Sequence, residues 1–161
     1  NTTGASIHVA DLDNDNKPDI YLGNTIPNVF ILRNNTSLGT ITAASFVVSP
    51  AYTPGGQVSG ISSYDLDGDG KREIVSSNNN TNNISVFRNT HLLGAFVAGS
   101  FSAQVPIALG GNGASSISIG DLDADGRADM VVSNSTSSNI SVLRNVSNIS
   151  VTPIAALPNA N

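Results

Sequence analysis

Three copies of one acidic nine-residue segment constrain this sequence more than any other feature. They begin at residues 11, 65 and 121 and read DLDNDNKPD, DLDGDGKRE and DLDADGRAD, so successive copies start 54 and 56 residues apart. All twelve Asp and Glu residues of the chain lie inside these segments, at positions 1, 3, 5 and 9. Self-similarity at such a spacing indicates a repeat architecture in which each repeat is one supersecondary unit.

The similarity extends beyond the acidic segments. A short alternating run precedes each one, at 6–10, 60–64 and 116–120, and strand-like runs follow, first at 20–24, 74–78 and 130–134 and then at 29–34, 84–89 and 140–145. A fourth segment carries Pro50, Pro106 and Pro153 at matching places. We therefore predict an all-β fold of three four-stranded antiparallel units, spanning 1–58, 59–113 and 114–161. Such units are typical of β-propeller blades, and an open β-solenoid is the alternative geometry.

The acidic segments have the composition of metal-binding loops. Four carboxylates in one tight loop repel each other unless a cation neutralises them. Oxygen ligands at alternate positions suit Ca²⁺ better than Mg²⁺, because Mg²⁺ demands octahedral geometry and keeps its waters. We predict one Ca²⁺ site per repeat, three in all, with one backbone carbonyl ligand in each loop, from Lys17, Lys71 and Arg127. The predicted side-chain ligands are Asp11, Asp13, Asp15 and Asp19; Asp65, Asp67, Asp69 and Glu73; and Asp121, Asp123, Asp125 and Asp129.

Position 6 of each loop has to turn sharply, and we predict a positive φ there. Gly70 and Gly126 adopt such a φ without steric cost, and Asn16 is the next most tolerant residue type. An EF-hand shares the opening of these loops but requires an acidic residue at position 12 and flanking helices. Position 12 is Leu22, Ser76 or Val132, in strand-like runs, so the EF-hand is excluded. Acidic turns that are merely solvated are the remaining alternative.

Basic residues recur in two places in each repeat. The first place is the end of the second strand-like run after each loop, which holds Arg33, Arg88 and Arg144. We expect these arginines to make inter-strand or inter-blade hydrogen bonds rather than to bind an anion. At position 7 of each loop, the residue that supplies the predicted carbonyl is Lys or Arg. We expect its side chain to point to solvent.

The segment SISIGDLDADGRADMVVSN at 116–134, followed by ISVLRN at 140–145, resembles FG-GAP/VCBS repeats. These repeats form the propellers of integrin α-subunits and occur in many secreted bacterial proteins. The resemblance covers nearly the whole chain and implies integrin-like β-propeller blades, with Ca²⁺ held in a hairpin loop between the first two strands of each blade. Asn16 in place of Gly and Glu73 in place of Asp depart from the family pattern. Complete propellers of this kind usually have seven blades, so the resemblance implies a partial or half propeller.

Three blades make an open arc with two uncovered end faces, because propellers close with about four to eight blades. Each unit of a repeat protein buries its apolar face against a neighbour, so we expect the end faces to be adhesive. The predicted partners are the remaining blades of a longer parent chain or a second copy of the chain, which would close a six-bladed ring.

Composition narrows the function further. The net charge of −5 argues against nucleic acid, and the longest apolar stretch, near 92–98, is too short to insert into a membrane. Because every carboxylate lies in a loop and the chain has no Cys, we expect it not to be an enzyme. We predict an extracellular Ca²⁺-binding module, secreted or at the cell surface, for adhesion or for binding a protein or glycan ligand. The alternatives are an accessory segment of a secreted polysaccharide lyase or hydrolase, and a purely structural repeat.

Overall fold

The computed structural model of the chain describes residues 6–146, and these residues form three antiparallel β-sheets in chain order. Sheet 1 contains β1 (Ser6–Ala10), β2 (Asp19–Gly23), β3 (Val29–Asn34) and β4 (Phe46–Val48). Sheet 2 contains β5 (Val58–Tyr64), β6 (Glu73–Asn78), β7 (Asn83–Phe87) and β8 (Val105–Ala108). Sheet 3 contains β9 (Ala114–Gly120), β10 (Asp129–Asn134) and β11 (Asn139–Leu143). The predicted all-β fold of antiparallel blades is confirmed, and the described residues form no closed barrel.

The strand bounds differ from the sequence prediction in small ways. The second strand of each sheet begins one residue early, so the acidic residue at position 9 of each loop is itself the first residue of a strand. The fourth strand contains Pro106 in sheet 2, where an edge position needs no N–H donor on its open side. In sheet 1 this strand ends at Val48, before Pro50. The corresponding segment with Pro153 lies outside the described residues.

The first strands of the three sheets lie next to one another. The Ser6 hydroxyl accepts the Ile61 N–H at 3.1 Å, and the Ser59 hydroxyl donates to the Ala114 carbonyl at 2.5 Å. The approach is close at Gly60, where a Cβ atom would lie 2.7 Å from the Ser77 hydroxyl and 3.0 Å from the backbone oxygen of Ser115. The sheets therefore meet along their inner edges and stack face to face, as propeller blades do.

The core lies between the sheets, in two separate layers. The layer between sheets 1 and 2 is rich in aromatic side chains, with the rings of Tyr52 and Phe101 packed edge to face at 5.3 Å between centroids. In the same layer the Tyr21 hydroxyl donates to the Ser63 hydroxyl at 2.9 Å, so its buried polar atom is satisfied. The layer between sheets 2 and 3 is mainly aliphatic, and its members include Leu66 and Met130.

Each inner layer pairs one face of a sheet with the opposite face of the next. Alternation along the strands sends neighbouring residues to the two faces, so Ile74 of β6 faces sheet 1 while Val75 faces sheet 3. Within residues 6–146, no helix is long and apolar enough to cross a membrane.

Candidate metal centre

Each acidic segment forms the hairpin loop between the first and second strands of its sheet. The register pairs Ala10 with Asp19, and Tyr64 with Glu73, so the loop closes directly on a ladder pair. Gly120 pairs with Asp129 in the same way. The three loops therefore occupy the same place in all three sheets, which is the location that the family resemblance implies.

The loop backbone turns through the left-handed region twice. Position 6 has φ of 64° at Asn16, 83° at Gly70 and 84° at Gly126, which confirms the predicted positive φ. Position 4 also has positive φ: 59° at Asn14, 77° at Gly68 and 60° at Ala124. The sequence analysis missed this second turn because the three loops share no signal at position 4. Asn14 and Gly68 tolerate a positive φ, but Ala124 is a residue type that rarely adopts one.

Carboxylates and backbone N–H groups hold the loop together. In loop 1 the position-1 carboxylate, Asp11, accepts the N–H of Asp15 at 3.2 Å and of Asn16 at 2.8 Å. The position-5 carboxylate, Asp15, accepts the N–H of Lys17 at 2.9 Å. Loops 2 and 3 repeat the bonds from position 6 to position 1 and from position 7 to position 5. These bonds fix the direction in which the remaining carboxylate lone pairs point.

The carboxylate at position 9 is buried in every loop. In loop 1, Asp19 accepts the N–H of Leu12 at 3.1 Å and that of Asn34 at 2.8 Å, so it joins the loop to β3. The pKa of Asp19 is raised to about 6, chiefly by burial; the two N–H groups lower it in part, and the carboxylates of Asp13 and Asp15 make smaller contributions that raise it.

Loop 2 has the same arrangement around the longer Glu73 side chain. It accepts the N–H of Leu66 at 2.8 Å and the N–H of Asn89 at 3.2 Å. Burial raises the pKa of Glu73 to about 7, with smaller contributions from the backbone bonds, which lower it, and from the neighbouring carboxylates, which raise it. A buried carboxylate with so high a pKa is stabilised in its charged form by a nearby cation.

The structure brings three carboxylates of each loop together, with one oxygen of each within 4.8 Å of the others. These groups are Asp11, Asp13 and Asp15; Asp65, Asp67 and Glu73; and Asp121, Asp123 and Asp129. The fourth predicted side-chain ligand of each loop, Asp19, Asp69 or Asp125, lies outside its group. The carbonyl ligands assigned to Lys17, Lys71 and Arg127 stay predictions.

The recurring arginines are part of these loops, which the sequence analysis did not predict. Arg33 contacts Asp13 at 2.6 Å through Nε and Asp15 at 2.9 Å through a terminal nitrogen. Arg88 contacts the equivalent carboxylates of loop 2 at 2.8 and 3.7 Å, and Arg144 those of loop 3. The expectation of inter-strand or inter-blade bonds was therefore incomplete, because each guanidinium binds the acidic loop of its own sheet.

The side chain at position 7 of loop 3 also differs from its prediction. We expected it to point to solvent, but Arg127 contacts Asp125 at 2.8 Å. The guanidinium of Arg144 contacts the same carboxylate at 2.8 Å, and together they lower the pKa of Asp125, with Arg127 as the larger cause. A side chain two residues from a carboxylate reaches back to it when the loop between them turns this tightly.

The family model for FG-GAP-like repeats matches two stretches of this chain, residues 11–76 and 65–132. Together they cover most of its length. The chain belongs to the FG-GAP-like repeat family. No curated protein matches the chain. Each matched stretch begins at an acidic loop and runs past the next one, so the family unit includes the junction between two sheets.

That junction is held by an asparagine in the FG-GAP-like repeats of this chain. Asn89, which follows β7, donates from Nδ2 to the Leu12 carbonyl in loop 1 at 2.8 Å. Asn145, which follows β11, donates in the same way to the Leu66 carbonyl in loop 2 at 2.8 Å. Each loop is thus bonded at position 2 to the sheet that follows it. The sequence analysis missed this bond, because its partners are 77 and 79 residues apart.

The donor set of the FG-GAP-like loops fits a hard divalent cation. The carboxylates supply oxygen alone, and they converge on one point in a loop whose backbone is fixed by its own hydrogen bonds. Hard oxygen donors select Ca²⁺ or Mg²⁺ over the softer transition metals. The three acidic groups could therefore each hold a metal ion, one per repeat.

Proposed function

We propose that this chain is a Ca²⁺-binding, non-catalytic extracellular module that presents a ligand-binding surface on integrin-like propeller blades. The observation that carries the proposal is the convergence of three carboxylates at the same hairpin in every repeat. Three bound ions would change the net charge from −5 to +1. Each ion would offset the mutual repulsion of its loop carboxylates and link metal binding to folding.

Ca²⁺ is the metal that this arrangement favours. The candidate ligands are spread over nine residues of a loop, and the longer Glu73 replaces Asp in one of them. Ca²⁺ tolerates such variation because its six to eight ligands adopt flexible geometry, whereas Mg²⁺ requires a near-ideal octahedron. Extracellular modules bind Ca²⁺ at roughly 10⁻⁴–10⁻³ M, which supports a secreted or cell-surface location.

A protein ligand is favoured over a glycan. Sugar rings stack on exposed aromatic faces, and the chain has no Trp. Tyr21 and Tyr52 are buried between sheets 1 and 2, which leaves Tyr64 as the exposed tyrosine. The Arg72 guanidinium lies over the Tyr64 ring, 5.9 Å from its centre, so it already covers one face of that ring.

The carboxylates support a non-catalytic role. A glycosidase requires two carboxyl groups that are free to act as acid, base or nucleophile. All twelve Asp and Glu residues of this chain lie in the acidic loops, where hydrogen bonds and arginines hold them.

An accessory segment of a polysaccharide lyase or hydrolase is the second candidate. Ca²⁺-dependent turnover of a polysaccharide by the chain alone would overturn the non-catalytic proposal.

Isothermal titration calorimetry on chelator-treated protein tests the metal sites. We expect three Ca²⁺ ions per chain with a Kd of roughly 10⁻⁴–10⁻³ M, and much weaker binding of Mg²⁺. The double variant Asp121→Asn/Asp123→Asn should reduce the number of bound ions to two.

The matched control is Lys71→Gln, which keeps the predicted carbonyl ligand of loop 2 and should still bind three ions. Absence of Ca²⁺ binding, or equal binding of the two metals, would contradict the proposal.

A further inference from the structure

Within residues 6–146, the two outer faces of the stacked sheets are apolar and are covered by no other described element. We define the trailing face as the four residues of sheet 3 that point away from sheet 2, and the leading face as six residues of sheet 1 that point away from sheet 2. The trailing face consists of Leu122, Val131, Ile140 and Val142. The leading face consists of Ile7, Val9, Ile20, Leu22, Phe30 and Leu32. Soluble proteins rarely leave contiguous apolar patches exposed unless another molecule covers them.

Sheets 1 and 2 show what covers the residues that are equivalent to the trailing face. Leu122 is 58% exposed, whereas its equivalents in the covered loops, Leu12 and Leu66, are 1% and 6% exposed. The equivalents of the other trailing residues are all buried against the next sheet. They are Tyr21, Val29 and Ile31 in sheet 1 and Val75, Ile84 and Val86 in sheet 2. A sheet of the same repeat type is therefore the natural cover for the trailing face.

The leading face of sheet 1 is exposed, whereas the equivalent face of sheets 2 and 3 lies against the preceding sheet. Ile7 is 61% exposed, whereas its equivalents Ile61 and Ile117 are 1% and 8% exposed because each lies against the preceding sheet. Val9 is 60% exposed, and its equivalent in sheet 2, Ser63, is buried. The leading face of sheet 1 is therefore more apolar than the covered face of sheet 2.

The side chains that would meet are chemically matched. Between sheets 1 and 2, the buried hydroxyl of Tyr21 donates a hydrogen bond to the hydroxyl of Ser63. On the trailing face the Tyr21 position is Val131, and on the leading face the Ser63 position is Val9. A polar pair at the covered interface is thus replaced by an apolar pair at the two uncovered faces, and neither valine would leave a buried polar atom without a partner.

A hydrogen-bond donor is also in place on sheet 1. Asn89 donates to the Arg72 carbonyl at 3.1 Å and accepts the His91 N–H at 3.0 Å within its own sheet, in addition to its bond across the interface. Asn34 makes the two equivalent bonds within sheet 1, to the Pro18 carbonyl at 2.9 Å and from the Thr36 N–H at 2.9 Å. Among residues 6–146, Asn34 has no counterpart of the cross-interface bond.

We propose that the leading face of one copy of this chain binds the trailing face of a second copy, in the register of the inner interfaces. Asn34 then donates to the Leu122 carbonyl of the second copy, as Asn89 does to that of Leu12. The same contact formed twice closes a ring of six sheets, which is within the range of about four to eight blades that propellers use. Such a heterologous contact closes when two copies are related by a half-turn.

Sedimentation velocity and light scattering over a range of protein concentrations test this assembly. We expect the 161-residue chain to have twice its monomer mass of 16.5 kDa. Ile7→Lys on the leading face and Ile140→Lys on the trailing face should each give monomers, because a charge would be buried in both contacts of the ring. Asn34→Ala should weaken association about tenfold per contact.

The two lysine variants also test the head-to-tail geometry. Mixed in equal amounts, they should form a one-to-one heterodimer through a single contact, in which the unchanged leading face of the Ile140→Lys copy binds the unchanged trailing face of the Ile7→Lys copy, while the second contact of the ring stays open. Leu93→Lys, on an exposed loop away from both faces, is the matched control and should remain dimeric. Circular dichroism establishes that every variant is folded. A chain that stays monomeric at all concentrations, an open polymer, or lysine variants that still dimerise alone would overturn the proposal.

Discussion

Loops 1 and 2 are covered by the sheet that follows them, and loop 3 is open, although all three have the same hairpin geometry. Asp13 of loop 1 is buried, and the equivalent Asp123 of loop 3 is exposed. Loop 3 nevertheless departs least from the family pattern, with Gly126 at position 6 and Asp129 at position 9. The comparison teaches that the nine loop residues determine the turn, while the next sheet determines how far the loop is removed from water.

The same difference changes the strength of the arginine contacts. Arg33 and its partner Asp13 form an ion pair that is largely out of solvent, whereas Arg144 and Asp123 form one that solvent reaches. Exposed ion pairs contribute little to stability because water and salt screen them. We therefore expect the arginine contacts of loop 1 to contribute more than those of loop 3 to the free energy of unfolding.

The largest expected effect is a pH dependence of the metal-free protein that comes from the covered loops. Burial raises the pKa values of Asp19 and Glu73 to about 6 and about 7. The folded state then holds protons that the unfolded state has released, so stability falls as the pH rises from about 4 to about 7. The loss is on the order of 3 kcal/mol for each group. Urea unfolding in chelator at pH 4.5 and at pH 7.5 measures it.

Two controls isolate the groups responsible. The double variant Asp19→Asn/Glu73→Gln should flatten this pH dependence, and saturating Ca²⁺ should reduce it in the original chain, because a nearby cation favours the ionised carboxylates. A slope that the double variant leaves unchanged would assign the effect to other carboxylates.

The second effect compares leucines at the same loop position. Leu12→Ala removes a fully buried side chain and should lower the free energy of unfolding by about 3 kcal/mol. Leu122→Ala should change it by less than about 0.5 kcal/mol, because that side chain is exposed. Both are measured by urea unfolding in the Ile140→Lys background, which keeps the trailing face free. Equal losses would mean that the covering sheet does not bury loop 1.

The smallest effect isolates one hydrogen bond. Asn89→Ala removes two bonds within sheet 2 and the bond to loop 1, whereas Asn34→Ala removes only the equivalent two within sheet 1. In the same background, Asn89→Ala should cost about 1 kcal/mol more than Asn34→Ala, since that is the net contribution of one such bond. Indistinguishable values would show that the bond across the interface contributes nothing measurable.

The sequence predicted the features that short segments determine. The hairpin loops, the positive φ at Asn16 and the alternation of buried strand residues follow from residue types within a few positions of one another. The contact of Arg33 with loop 1 and the pairing of Tyr21 with Ser63 depend on residues that are 20 and 42 positions apart. One sequence gives no signal for which distant side chains will meet, so these contacts were found only in the folded chain.

The bond between each covered loop and the sheet that follows it has a consequence for how such chains change over time. Sheet 2 carries both halves of this bond, because the Leu66 carbonyl accepts from the sheet that follows and Asn89 donates to the loop that precedes, so duplication of a whole repeat places a donor beside a carbonyl at the new junction. Deletion of a unit likewise joins a carbonyl to an asparagine that fits it. The number of blades can therefore vary by recombination with this bond kept at each junction, and the direction of the array is kept at every step.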